Sequence, residues 1–434
     1  MDEFKYKRLS LIISVFLVLY SFSNPSGKEE SLAIRGGKFI TMTRGVLENG
    51  ILLIQKGKIA AIGKDIPIPA EAKVIDASKY TVLPGYIDAF TNLGTTDPIS
   101  REKDYDEGTA ALTPQLRIID AINPEDTFIP FARKTGVTSV LSAPGEENLL
   151  SGQSALIHLS GETLEEMLVK FPVAVHGSLG EAPKLRYGKK GELPSTRMGE
   201  AALLRQTLAD TQDYLNKIQA YEKKRQEYEK KKKEGQADPS QEPLLPPVDW
   251  KLQALIPILK GEIPLIIRAN RMDDILTALR IADEFGIKLI LNHASDGYKV
   301  AQELALRKIP VLVGPVASYR QTVETSSAIY ENASILQKAG IKIAFQTGSI
   351  QNFGDIIYQA SLAYSHGLPY EEALKALTIY PARILGVEDK LGSLEKGKIA
   401  DLIVVEGDPL SPLSKVKMVI IEGKIVEDLM RNKS

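Results

Sequence analysis

Eight short apolar segments punctuate the middle of the chain, with helical stretches between them: Val82–Ala89, Val137–Ser142, Ser154–Leu159, Val173–Ser178, Pro264–Arg268, Lys288–His293, Pro310–Val313 and Lys342–Phe345. Runs such as Leu289-Ile290-Leu291 show no polar alternation. Such strands are buried on both faces, as parallel strands covered by helices are. Eight strands separated by helical stretches fit a parallel barrel. The expected fold class is α/β, a (β/α)8 TIM-type barrel.

The two ends have a different texture. From Ser31 to Leu83, short apolar runs are cut by Gly36-Gly37 and Lys56-Gly57-Lys58, which reads as hairpins. Ile399 to Val405, Val419-Ile420-Ile421 and Gly423-Lys424-Ile425-Val426 repeat the pattern. Residues 31–83 and 389–434 are therefore expected to pair into a small β-sandwich satellite, leaving 84–388 as the barrel. Near its end, Pro369–Tyr380 reads as one helix, with Glu371 and Glu372 at its positive end. An insertion, 201–248, interrupts the barrel. Its helical part, Ala201 to Glu234, repeats Tyr214, Tyr221 and Tyr228 every seven residues. That stripe either packs on the barrel or meets a second subunit. Its last turns mix seven Lys/Arg with four Glu, so they are not a nucleic-acid surface.

A chain of 434 residues exceeds one small core, and 44% hydrophobic with 25% charged residues is ordinary for a globular protein. A formal net charge of −1 supplies no general attraction to nucleic acid or anionic membrane. Absence of cysteine excludes disulfides, thiolate metal sites, a cysteine nucleophile and a lipidated cysteine. At the N-terminus, Lys5, Lys7 and Arg8 precede an apolar stretch from Leu9 to Phe22, with Ser21 and Ser23 as a small-x-small exit. Residues 1–23 thus read as a signal peptide, or as an N-terminal anchor if uncleaved. Export to the periplasm or beyond the cell is expected, with membrane attachment only through that segment.

Val82-Leu83-Pro84-Gly85-Tyr86-Ile87-Asp88-Ala89 resembles the amidohydrolase superfamily's entry from satellite sheet to first barrel strand. Leu391 to Val405, with Gly407-Asp408-Pro409, is similar to that family's return from barrel to sheet, and Thr378 to Leu385 to its last helix. The middle, including Ile263–Ile281 and Leu289–Glu303, resembles the imidazolonepropionase-like subgroup, which includes Xaa-Pro dipeptidase-type hydrolases. The resemblance spans Ser31 to Val426 and implies a divalent metal at the C-terminal strand ends, where it would activate water for C–N hydrolysis.

The positions that would hold this metal are degenerate. His-x-His on the first strand reads Phe90-Thr91-Asn92, and His176 stands where lysine is expected. Arg268-Ala269-Asn270-Arg271 replaces a His-Ala-His-Arg pattern, and Gly348 replaces the aspartate that would take water's proton. His293 alone is retained. The histidine inventory agrees: four exist, at 158, 176, 293 and 366, with no His-x-His or His-Glu-x-x-His among them. A permanent cation at Arg268 would also repel Zn²⁺. His158 and His366 read as structural and solvated respectively. No Gly-x-Ser-x-Gly elbow exists, and Ser349 lacks an assignable base. Gly145 to Gly152 lacks the lysine of a phosphate loop.

No metal, no other cofactor and no catalytic residue is therefore expected. The expected function is that of a catalytically silent amidohydrolase homologue, a pseudoenzyme, acting as a binding or partner subunit. Its partner would be an intact paralogue or a second copy. One alternative is a metal-independent or weakly active hydrolase of cyclic amides or Xaa-Pro dipeptides. Another is a small-anion binding protein whose pocket gathers Arg268, Asn270, His293, His176 and Asn92. Against that last reading, Asp88 or another acid could neutralise Arg268 internally, with Phe90 plugging the pocket.

Overall fold

The computed structural model describes residues 31–96, 103–316, 322–348 and 354–430. Residues 1–23 and Ser349 lie outside these. Two sheets built from both ends of the chain face one another. One orders Lys58–Gly63, Ile51–Gln55, Leu32–Arg35 and Lys73–Asp76. The other orders Lys424–Asp428, Lys415–Ile421, Leu402–Glu406, Thr81–Pro84, Lys38–Ile40 and Val46–Glu48. N- and C-terminal strands thus share one ladder, Leu402–Glu406 running antiparallel to Thr81–Pro84. Ile34, Phe39, Leu52, Val82, Leu402 and Ile420 form a dry core between the two sheets.

Val82–Ala89, which reads as one strand, is two. Thr81–Pro84 belongs to the satellite, and Tyr86–Thr91 (β1) begins the central layer. Gly85 makes the passage, because a Cβ there would meet the Thr138 side chain at 2.2 Å. The remaining central strands are β2 (Val137–Ser142), β3 (Leu150–Gln153), β4 (Ala155–His158), β5 (Val175–Ser178), β6 (Leu265–Ala269), β7 (Leu289–His293), β8 (Val311–Val313) and β9 (Ile343–Phe345). β5 through β9 form parallel ladders in sequence order, and β1 pairs parallel with β2.

The wholly parallel barrel expected from sequence needs correction. β3 and β4, continuous across Ser154, run antiparallel to β5 and β2 respectively. The link from β2 to β3 is residues 143–149, shorter than the dozen or more residues a parallel crossover requires. The central strands form two mixed sheets rather than one closed ladder. Between β1 and β9 they meet through Gly348 N donating to Phe90 O at 3.1 Å. The fold is α/β and TIM-barrel-like, with a β-rich domain made by the two ends.

The insertion is a 37-residue helix, α1 (Arg197–Lys233), whose N-cap Thr196 accepts from Gly199 N. Leu204, Leu208, Thr211, Tyr214 and Leu215 are buried at helical spacing, and α1 packs against α2 (Trp250–Leu259). Tyr214 and Tyr228 are buried within the chain, and Tyr214 Oη accepts from Asp249 N at 3.4 Å. Tyr214 and Tyr228 therefore pack within the chain, whereas Tyr221 between them is half-buried. Replacing Tyr214 and Tyr228 by Ser is expected to cost about 3 kcal/mol or more of stability in urea unfolding. The sedimentation mass should stay that of the parent; a folded variant of lower mass would contradict the assignment. The helix expected over Pro369–Tyr380 is also two, Tyr370–Ala376 and Ile379–Ile384. Thr378 leaves helical backbone (φ −134°, ψ −87°), and its hydroxyl bonds back to Leu374 O. Among the described residues, no helix is long and apolar enough to cross a membrane.

Candidate functional site

Leu141, Ala174, Ile266, Ile290, Leu312 and Ala344 pack as one apolar layer inside the central strands. Side chains along a strand alternate, so the residues two positions on face the same way. These are Ala143, His176, Arg268, Asn292, Gly314 and Gln346, at the C-terminal strand ends where barrels carry their chemistry.

The residue organising this layer, Glu146, is one that sequence reasoning missed. It lies in the loop after β2, and its backbone carbonyl accepts from Ser178 Oγ at 2.6 Å. His293 Nε2 lies 2.9 Å from Glu146 Oε2 and 3.0 Å from Oε1. Asn292 Nδ2 donates to Oε1 at 2.7 Å. Arg268 Nε stands 3.7 Å from Oε2, too far for a hydrogen bond. Burial opposes charge on Glu146, but His293 and then Arg268 hold its carboxyl below the usual range. His293 and Ala294 both have left-handed backbone (φ +67° and +45°), strain of the kind kept at functional sites.

His176 sits deeper, its ring 5.6 Å from that of Phe90 and its Nε2 buried without a partner. Burial drives its imidazole down to about 3, only partly offset by Glu146, so it is neutral. Asp88 accepts from Phe90 N at 3.2 Å, Thr347 N at 3.1 Å and Thr347 Oγ1 at 2.5 Å. The acids facing Arg268 are thus Glu146 and, more remotely, Glu324, rather than Asp88. Asn92 and Asn270 do not join the group. Asn92 Nδ2 donates to Ala143 O at 2.9 Å, and Asn270 Oδ1 accepts from Ser295 Oγ at 2.7 Å, both side chains being buried. Of the expected anion pocket, the structure brings together Arg268, His293 and His176. His158 pairs with Asp401 at 3.0 Å, both buried. His366 is partly covered, its Nδ1 3.4 Å from Glu331.

This donor set does not fit the family's metal. Phe90 offers no ligand, His293 Nε2 is engaged by a carboxylate, and a guanidinium stands beside that carboxylate. Gly348 has φ +74°, and a Cβ there would lie 3.2 Å from Gln346 Oε1 and from Pro315 Cδ. Among the described residues, no three His, Asp or Glu converge as a metal-holding group.

A profile of the Amidohydrolase family matches residues 287–426. The solved amidohydrolase from Thermotoga maritima MSB8 is 33% identical, with TM-score 0.82 over 92% of this chain and 100% of that one. Amidohydrolase tasK of Hapsidospora irregularis is 24% identical over 406 residues, 86% of this chain. A dihydroorotase of Geotalea daltonii is 30% identical over 155 residues, 35% of this chain. The chain spans 39% of the length of tasK and 31% of the dihydroorotase. Near-complete mutual coverage at one third identity, in a shared fold, decides the matter: this chain belongs to the amidohydrolase family.

Proposed function

We propose that the chain is a metal-free, non-hydrolytic amidohydrolase of the imidazolonepropionase-like and Xaa-Pro dipeptidase-like subgroup, exported and acting as a binding or partner subunit. The observation that carries this is the Glu146 carboxylate on His293 Nε2, where the retained imidazole would need a free lone pair to ligate a metal. In a cytosol-free assay with Zn²⁺ or Mn²⁺ added, cyclic amides and Xaa-Pro dipeptides should be turned over no faster than in blanks. Turnover above the blanks would overturn the reading. Gly348→Asp alone should also give no hydrolysis, because metal ligands act as a unit and the new side chain meets Gln346 and Pro315. Robust activity in that single variant would contradict the account of the site.

One observation favours a second reading, metal-independent hydrolysis. A carboxylate–imidazole pair at a strand-end rim, with side chains 20% and 14% exposed, is an arrangement for general-base catalysis. Activity that persists after exhaustive chelation and is abolished in His293→Gln would select it.

A further inference from the structure

The insertion helix α1 carries a charged row that the rest of the fold leaves uncovered. Asp213, Lys217, Ala220, Lys224, Glu227 and Lys231 follow one another at alternating steps of four and three residues, so they share one helix face. All six are exposed, and among the described residues none of their side chains is held in an ion pair or a hydrogen bond. Beside this row runs an apolar strap. Leu244, Leu245, Val248 and Trp250 are 89%, 63%, 50% and 70% exposed. Glu242 is ion-paired with Arg225 and Asp249 N donates to Tyr214 Oη, so the strap runs back along α1 between those two levels. Pro247, Val248 and Trp250 form one wall of an open cleft of about 910 Å³, and Asp210, Asp213 and Lys217 stand on the other. An exposed apolar patch with a polar border marks a contact surface.

We infer that a second copy of this chain docks on this face, its α1 antiparallel to the first across a two-fold axis level with residue 222. Residues equally far from 222 then meet: Asp213 with Lys231 (nine on either side), Lys217 with Glu227 (five) and Ala220 with Lys224 (two). Each contact occurs twice by symmetry. Every acid in the row meets a lysine, and no like charges fall in register. A parallel pairing would set each charge against its own copy. The strap lies between the levels of Tyr214 and Arg225, close to the axis, so apolar contact takes the centre and charge the rim. An anionic lipid surface fits less well, because Asp213 and Glu227 stand in the same row as the lysines. The docking is independent of the chemistry at Glu146.

Sedimentation equilibrium on the full chain should give twice the chain mass across the micromolar range. Asp213→Lys alone and Lys231→Asp alone each make both symmetric contacts repulsive, and should weaken association about tenfold or more. Mixed in equal amounts, the two variants should associate as tightly as the parent, because both contacts of the mixed pair are again Asp with Lys. A misfolded variant could not rescue its complement, so loss of fold and loss of contact give different results. Trp250 is the chain's only tryptophan, and its emission should move to the blue as the dimer forms. A monomeric parent, single reversals that associate as tightly as the parent, or a mixture no tighter than either variant alone overturns the inference. So does a Trp250 shift that appears only with phosphatidylglycerol vesicles, which would assign the strap to a membrane surface.

Discussion

His158→Ala is expected to cost about 3–5 kcal/mol of stability, the range for removing one partner of a buried ion pair. The pair joins the two halves of the molecule. His158 ends β4 in the central layer, whereas Asp401 leads into the satellite strand Leu402–Glu406 and also accepts from Glu422 N at 2.8 Å. Nδ1 of His158 lies 3.0 Å from Asp401 Oδ2, and Nε2 lies 3.9 Å from Glu422 Oε1. Burial works against an imidazolium here, but Asp401 and then Glu422 outweigh it and raise the group above its ordinary 6.5. A raised histidine stabilises fully below 6.5 and loses that contribution as pH climbs through the folded value. Urea unfolding of the parent should therefore weaken on the alkaline side of neutrality, and the alanine variant should lack that phase. An alanine variant within about 1 kcal/mol of the parent at pH 6 would show that the pair is idle.

The second large effect is at Asp88. Burial pushes its carboxyl from 3.8 up to about 7, against three hydrogen bonds that favour the charged form. Between those values the folded state keeps a proton that the unfolded chain has lost, so stability falls as pH rises through that window. About three pH units correspond to something on the order of 4 kcal/mol. Asp88→Asn keeps a neutral oxygen for Phe90 N and Thr347 N and removes the titration. The parent should lose stability between pH 4 and pH 7 while the Asn variant stays nearly flat. Equal slopes in the two proteins would refute this assignment.

Much of the fold was legible because apolar segments buried on both faces and turn-cut hairpins carry local signatures. The satellite and most strand positions came from residues read in place, whereas Phe90, Arg268 and Gly348 stood out only against the pattern that the family resemblance implies. The antiparallel β3–β4 was legible in principle, since seven residues after Ser142 cannot hold a crossover helix. Glu146 was hidden for a different reason. Pro144-Gly145-Glu146-Glu147-Asn148 reads as a solvated loop, and its partners Arg268, Asn292 and His293 are distant in sequence, brought near only by the strand order. An acid just beyond a strand's C-terminal end was the signal available, because loops at that end of a barrel carry function. The tyrosine stripe left packing on the barrel and a subunit contact both open, because periodicity reports a buried face without naming what buries it. Here α2 and its N-cap Asp249 supply the cover for Tyr214.

The exchange of a metal site for the Glu146–His293–Arg268 cluster is the central claim, and metal content tests it most directly. Protein expressed with supplementary zinc, manganese, cobalt and nickel, purified without chelator and dialysed, should carry less than about a tenth of a transition metal per chain by plasma mass spectrometry, since an engaged imidazole and a neighbouring guanidinium leave no competent ligand set. Near-stoichiometric metal that disappears in His176→Ala or His293→Ala would contradict it.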